Sequence, residues 1–207
     1  MAKTKDTEKQ RYTIRLRALR SEDAELTWKW RNLPEVREMY SGHPFYVNPE
    51  KERLWFQKIL TTDFPIASFG IEIVEIEKLV GLCLFKDINL IHRSAEYAIF
   101  LIDKAYENRW YLRHAYFQAL DFAFYDLNLN RVWAKIYEFN RKALGLIQYF
   151  GFQKEGVIRQ SAYKNGEYVN EVILSLLKEE YDVLKRKEGY SRKSKDAPDQ
   201  PSSFIKY

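Results

Sequence analysis

Residues 127–152 read LNLNRVWAKIYEFNRKALGLIQYFGF, and three signals in this stretch decide the fold. Residues 131–137, with Val132, Trp133, Ile136 and Tyr137, read as a strand. Asn140 stands as an N-cap before a run that reads as a helix through Tyr149. Gly151 then supplies the backbone freedom that ends such a helix, and a new strand opens at Phe152.

Working upstream, residues 112–125 read as a helix, with Ala115, Leu120, Phe122 and Ala123 among its apolar positions. Before it lie three β-type runs at 68–74, 79–85 and 95–101, the first two joined by a charged turn around Glu77 and Lys78. Nearer the N-terminus, Ile14, Leu16 and Leu19 mark an opening strand. Ser21 reads as the N-cap of a helix running to about Asn32, with Glu22 and Asp23 in its first turn. Pro34 starts a short second helix ending near Tyr40. Asn48 and Pro49 form a cap and first-turn pair for a third, which carries Leu54, Trp55, Ile59 and Leu60. Downstream, 171–177 reads as a final strand. A strand, helices, a three-strand meander and two strand-helix alternations imply an α/β (mixed α+β) architecture. Its core is a mixed, twisted central sheet of about six to seven strands with helices on both faces.

The chain has 207 residues, of which 46% are hydrophobic, enough for one domain with residues left for tails. The expected boundaries are a disordered extension over 1–11, the folded domain over 12–184, and a basic, disordered tail over 185–207 rich in Lys, Ser, Pro and Asp. The net charge of +5 resides in these ends: 185–207 carries +4 and 1–11 carries +2, leaving −1 on the domain. A basic groove for nucleic acid is therefore not expected in the core. No apolar run approaches the roughly 20 residues that span a bilayer, and the first residues do not resemble a signal, so the expected location is cytoplasmic. Cys83 is the sole cysteine and lies in an apolar run, where it reads as a small buried hydrophobe. His43, His92 and His114 never fall in a metal-ligand spacing, so no metal site is expected. No Gly-x-Ser-x-Gly elbow, phosphate-binding Walker loop or dinucleotide fingerprint is present.

A longer pattern does carry information. Trp30, Arg31 and Asn32 precede Pro34 and Val36; His92 and Arg93 precede Ala95 and Glu96; Asn140, Ala143, Gly151 and Phe152 keep a fixed spacing; Tyr168, Asn170 and Glu171 close the series. Taken in order, these residues resemble the GNAT superfamily of acyl-CoA-dependent N-acetyltransferases over about 12–184. The likeness is strongest to the branch of ribosomal-protein, spermidine and nucleotide-amino-sugar acetyltransferases. It implies a GNAT fold in which the strand at 95–101 splays from its neighbour to admit a pantetheine arm. It also implies a diphosphate held on backbone N–H groups at the start of the next helix, a physically sound anion site. The cofactor-binding positions carried over are Phe100, Leu101, Ile102, Arg109, Trp110, Tyr111, Leu112, Arg113 and Asn140. Arg31, Met39 and Tyr40 fall on acceptor-pocket positions, and Glu96 is a candidate for holding the amine or serving as base through water. The implied partner is a small-molecule or peptide amine, with no membrane, and a homo-oligomer is left open.

Two departures bear on the cofactor. The family loop runs Gln or Arg, two residues, Gly, one residue, Gly or Ala; here Glu107, Trp110 and Leu112 stand at those positions. Losing three charge-assisted contacts at roughly 1.5–3 kcal/mol each would weaken an acyl-CoA more than about a thousandfold. Arg109 and Arg113 are the side chains placed to recover part of this. The family's tyrosine that protonates the leaving thiolate falls on Ile147, while Tyr149, two residues on, faces elsewhere on the helix. Losing a general acid costs on the order of a hundred- to ten-thousandfold, yet water can protonate a thiolate. The leading expectation is an N-acyltransferase using acetyl-CoA or another acyl-CoA, with ordinary acetyl-CoA use brought into question by Trp110 and Leu112. The alternatives are a catalytically silent relative that binds a ligand or protein, and an enzyme using a non-CoA donor such as a carrier-protein thioester.

Overall fold

The structure is a computed structural model that describes residues 12–39, 45–61, 66–106 and 109–190, apart from the side chain of Arg109. Its seven strands are β1 (Ile14–Ala18), β2 (Ala67–Ile73), β3 (Lys78–Asn89), β4 (Ser94–Leu101), β5 (Arg131–Tyr137), β6 (Gln153–Lys164) and β7 (Glu167–Leu177). They form one sheet in the order β1-β2-β3-β4-β5-β7-β6, in which only β4 and β5 run parallel.

The helices divide between the faces. α1 (Ala24–Asn32), α2 (Pro34–Met39) and α3 (Pro49–Leu60) occupy one side. There Ala24, Trp30 and Phe56 pack with Leu79 and Leu82. α4 (Arg109–Asp121), α5 (Arg141–Tyr149) and α6 (Lys178–Lys187) cover the other, larger core. Strand alternation serves both: Cys83 and Phe85 enter the larger core while Leu82 and Leu84 face the smaller one. Cys83 is buried, as its sequence context implies, and burial pushes its thiol up, so it carries no reactive thiolate.

Several elements differ in their limits from the sequence reading. Ser21 does not cap α1: Ser21–Asp23 is a 3-10 turn, and the Asp23 carboxylate accepts from Arg20 N at 2.8 Å. Arg17 also grips Asp23, at 2.8 Å and 2.9 Å, and pairs with buried Glu72. These tertiary bonds hold Asp23 where local capping alone would favour Ser21. α4 starts three residues early and passes into a π turn at Phe122–Asp126. The expected tail boundary at 185 is also too early. α6 continues to Lys187, and the Tyr190 ring stacks on Phe117 at 4.3 Å, so residues 185–190 belong to the domain. The expected disorder of 1–11 and of the rest of the tail lies outside the described residues.

Candidate active site

The sheet opens between its two parallel strands. β4 and β5 pair only from Ser94–Arg131 to Glu96–Trp133. Beyond that point β4 stays with β3 as far as the Gly81–Leu101 pair, and β5 stays with β7 as far as Tyr137–Glu171. Gly81 lets β3 hold the end of β4 this closely, since a Cβ there would stand 2.1 Å from Phe100 O. Ile102 N and Asp103 N both donate to Val80 O, at 3.0 and 3.2 Å, drawing the chain further toward β3. Below the opening, Tyr116 stacks on Phe150 at 4.0 Å and meets the Tyr97 ring edge-on at 5.8 Å, an aromatic wedge that fills the space beneath the parted strands. Among the described residues, the N–H and C=O groups that 97–99 and 134–136 turn toward the gap consequently have no partner in a facing strand.

A cleft with an accessible volume of about 160 Å³ passes through this gap. On the α4–α5 side it is lined by Leu112, Tyr116, Ala143, Leu146, Ile147 and Phe150. On the other face it meets Met39, Lys86, Glu96, Ala98, Lys135 and Tyr137. The first wall is apolar and the second carries charge. Glu96, 9% exposed, accepts from Lys86 Nζ at 2.9 Å at the base of the split. Burial pushes the Tyr97 and Tyr116 phenols well above their ordinary range, and the Tyr116 hydroxyl donates to Phe150 O at 3.2 Å. Both keep their protons and are poor acids for a leaving group.

The cleft gathers Met39, Glu96, Phe100, Leu112, Asn140 and Ile147 from among the positions marked in the sequence. Asn140 also caps α5, its Oδ1 accepting from Ala143 N at 3.1 Å. Other marked positions lie elsewhere. Leu101 packs in the larger core and Ile102 in the smaller one. Trp110 turns its ring onto His114 at 4.2 Å and Tyr111 at 5.0 Å, so of the two large residues in the loop only Leu112 enters the cleft. Tyr111 accepts from Tyr12 N at 3.3 Å, and Arg113 reaches Glu188 and lies 4.9 Å over the Phe117 ring. Arg31 donates to Glu52 at 3.1 Å, a buried carboxylate that also receives Thr27 Oγ1 at 2.8 Å, and it lies 5.1 Å over Trp55. Tyr40, Glu107 and the Arg109 side chain lie outside the described residues. Tyr149 is 51% exposed and does not line the cleft, whereas Ile147 does. Lys135 and Tyr137 line it too and were missed, because a strand pattern does not show which side chains flank a gap.

A mixed sheet that parts between two parallel strands, with a helix start beside the gap, is the architecture that the sequence resemblance to acyl-thioester-using transferases implies. The chain belongs to the acetyltransferase (GNAT) domain family, whose model matches residues 13–153. It is 29% identical over 168 residues to spermidine N(1)-acetyltransferase of Vibrio cholerae serotype O1, covering 81% of this chain and 95% of that protein. It is 28% identical over 173 residues to the uncharacterized N-acetyltransferase p20 of Bacillus licheniformis, covering 82% and 97%. Among solved structures, spermidine N-acetyltransferase from Vibrio cholerae in complex with CoA and spermine superposes with a TM-score of 0.75 at 27% identity, covering 82% of this chain and 98% of that one. A dodecameric structure of that enzyme in an intermediate state gives 0.68 at 30% identity, covering 82% and 96%. The fold is thus the GNAT fold, and the protein is an N-acetyltransferase of that family, with acetyl transfer to an amine as the activity its relatives support. No helix among the described residues is long and apolar enough to cross a membrane.

Proposed function

We propose that this protein transfers an acyl group from a pantetheine thioester to a primary amine entering from the Met39 side, and that it grips the donor mainly by its pantetheine arm. The observation that carries this reading is the split itself: two strand edges with open hydrogen-bonding groups border a cleft of mixed character. A pantetheine arm has two amides to pair with such edges. The neutral amine attacks the thioester carbonyl, and N–H groups of β4 that face the gap receive the oxyanion. The C–N bond forms and the C–S bond breaks. The proton shed by the amine passes to water or to Glu96, and water protonates the thiolate, because Ile147 has no proton to give.

The same wall sets the donor's limits. Among the described residues no Lys or Arg lines the cleft on the α4–α5 side, Leu112 projects into it beside the α4 start, and Arg113 is held by Glu188. That favours weak binding of the CoA diphosphate, and it supports as a second reading a donor carried on a protein. Spermidine is the acceptor to test first, because the relatives' names supply it. The experiment is thiol release from acetyl-CoA and from acetyl-pantetheine in the presence of spermidine. Comparable kcat/KM for the two donors supports the reading, and a preference of a thousandfold for acetyl-CoA refutes it.

A further inference from the structure

Among the described residues, one buried carboxylate opposite Tyr137 makes no ion pair or side-chain hydrogen bond. Glu171 stands opposite Tyr137 in the last β5–β7 pair. Next to them Glu138 N donates to Asn170 O at 2.9 Å. In the antiparallel alternation this makes Tyr137–Glu171 the non-hydrogen-bonded position, where facing side chains come closest and rise from the same face. Tyr137 lines the cleft, and its phenol is pushed up by burial and by the negative charge of Glu171. Glu171 is 7% exposed and makes no ion pair or side-chain hydrogen bond among the described residues. Its oxygens are not among the fully sealed, unpartnered atoms of the described residues, whereas Asp121 Oδ2 is.

The lysines that line or border the cleft have other contacts. Lys86 pairs with Glu96. Lys164 donates to Arg37 O at 3.0 Å and lies 5.3 Å over the Tyr137 ring, so this ring already draws an ammonium from its own chain. Lys135 stands 5.9 Å over Trp133. A nearly buried carboxylate without a partner destabilises the fold, and such a group is retained where a ligand supplies the missing charge.

We propose that Glu171 anchors a cationic nitrogen of the acceptor, remote from the nitrogen that is acylated, and so selects amines carrying a second positive charge. This rests on the amine-acceptor reading above. Equilibrium binding of spermidine and of butylamine is measured on the unmodified protein, Glu171→Gln and Glu171→Asp, with thermal midpoints alongside. Glu171→Gln is expected to weaken spermidine at least about tenfold, to leave butylamine within about twofold, and to keep or raise the midpoint, while Glu171→Asp recovers part of the affinity. Spermidine affinity unchanged in Glu171→Gln overturns the anchor and leaves the transferase reading standing. A lowered midpoint with both amines weakened alike also overturns it, because that is the signature of a structural residue. Failure of the unmodified protein to bind either amine overturns the acceptor reading and the anchor together.

Discussion

Leu112→Ala isolates the cost of the side chain that enters the cleft beside the α4 start. α4 begins at Arg109, so the first-turn N–H groups lack helical acceptors and Leu112 lies within reach of any anion they would bind. Ala preserves helix propensity, and the partly buried Leu gives up only some of its packing, a loss of about 1–2 kcal/mol of stability. If removing the branched side chain lets one diphosphate oxygen reach the helix start, the gain is about 1.5–3 kcal/mol, or roughly ten- to 150-fold in Kd. Pantetheine has no diphosphate and should not share this gain. Calorimetry with CoA and with pantetheine on both proteins therefore gives a ratio in which general packing effects cancel. The account expects CoA to gain at least tenfold over pantetheine. Trp110→Ala, whose ring packs on His114 outside the cleft, should lower stability and leave that ratio alone. Equal changes for both ligands in Leu112→Ala would falsify the claim that this side chain obstructs the phosphates.

Ile147→Tyr places a phenol in the cleft wall and should raise kcat by tenfold or more with little change in donor affinity, which steady-state kinetics and calorimetry separate. Deleting 191–207 should leave the thermal midpoint within about 2 °C, whereas Tyr190→Ala should lower it by about 4 °C or more through loss of the Phe117 stack; the reverse order would show that the tail packs. Burial alone would raise the Glu72 carboxyl, yet hydrogen bonds from Arg15 and Arg17 hold it below its ordinary 4.5. Its stabilisation is therefore complete above about pH 5 and is lost as pH falls through the lower, folded-state value. Glu72→Gln should cost about 3–5 kcal/mol at pH 7 and flatten the acid limb of a stability-against-pH curve, an outcome read by urea titration at several pH values.

Local chemistry wrote much of the fold into the sequence. Asn48 and Asn140 cap their helices as their spacing implies, accepting from Lys51 N at 2.8 Å and from Ala143 N at 3.1 Å. The alternating runs gave β2, β3, β4 and β5 to within a few residues. β6 was harder, because it is mostly exposed and bulged and carries little alternation. Helix limits moved where a distant partner took over, as with Asp23 and Arg17. The site shows the same division. Ile147 and Leu112 could be placed by counting from Asn140 and Ala115. The engagement of Arg31 with Glu52 joins residues 21 apart, and Arg113 with Glu188 joins residues 75 apart, which no local spacing encodes. Glu171 was visible as part of a motif, but its lack of a partner depends on how β5 and β7 register.

The account stands most directly on whether this cleft performs acyl transfer. Unmodified protein is incubated with acetyl-pantetheine or acetyl-CoA and a set of primary amines that includes spermidine, and both free thiol and amine mass are followed. The predicted result is thiol release matched one for one by an amine heavier by one acetyl group, from either donor. Thiol release no faster with any amine than without, and no acetylated product, would contradict it and leave a GNAT fold that binds without catalysing.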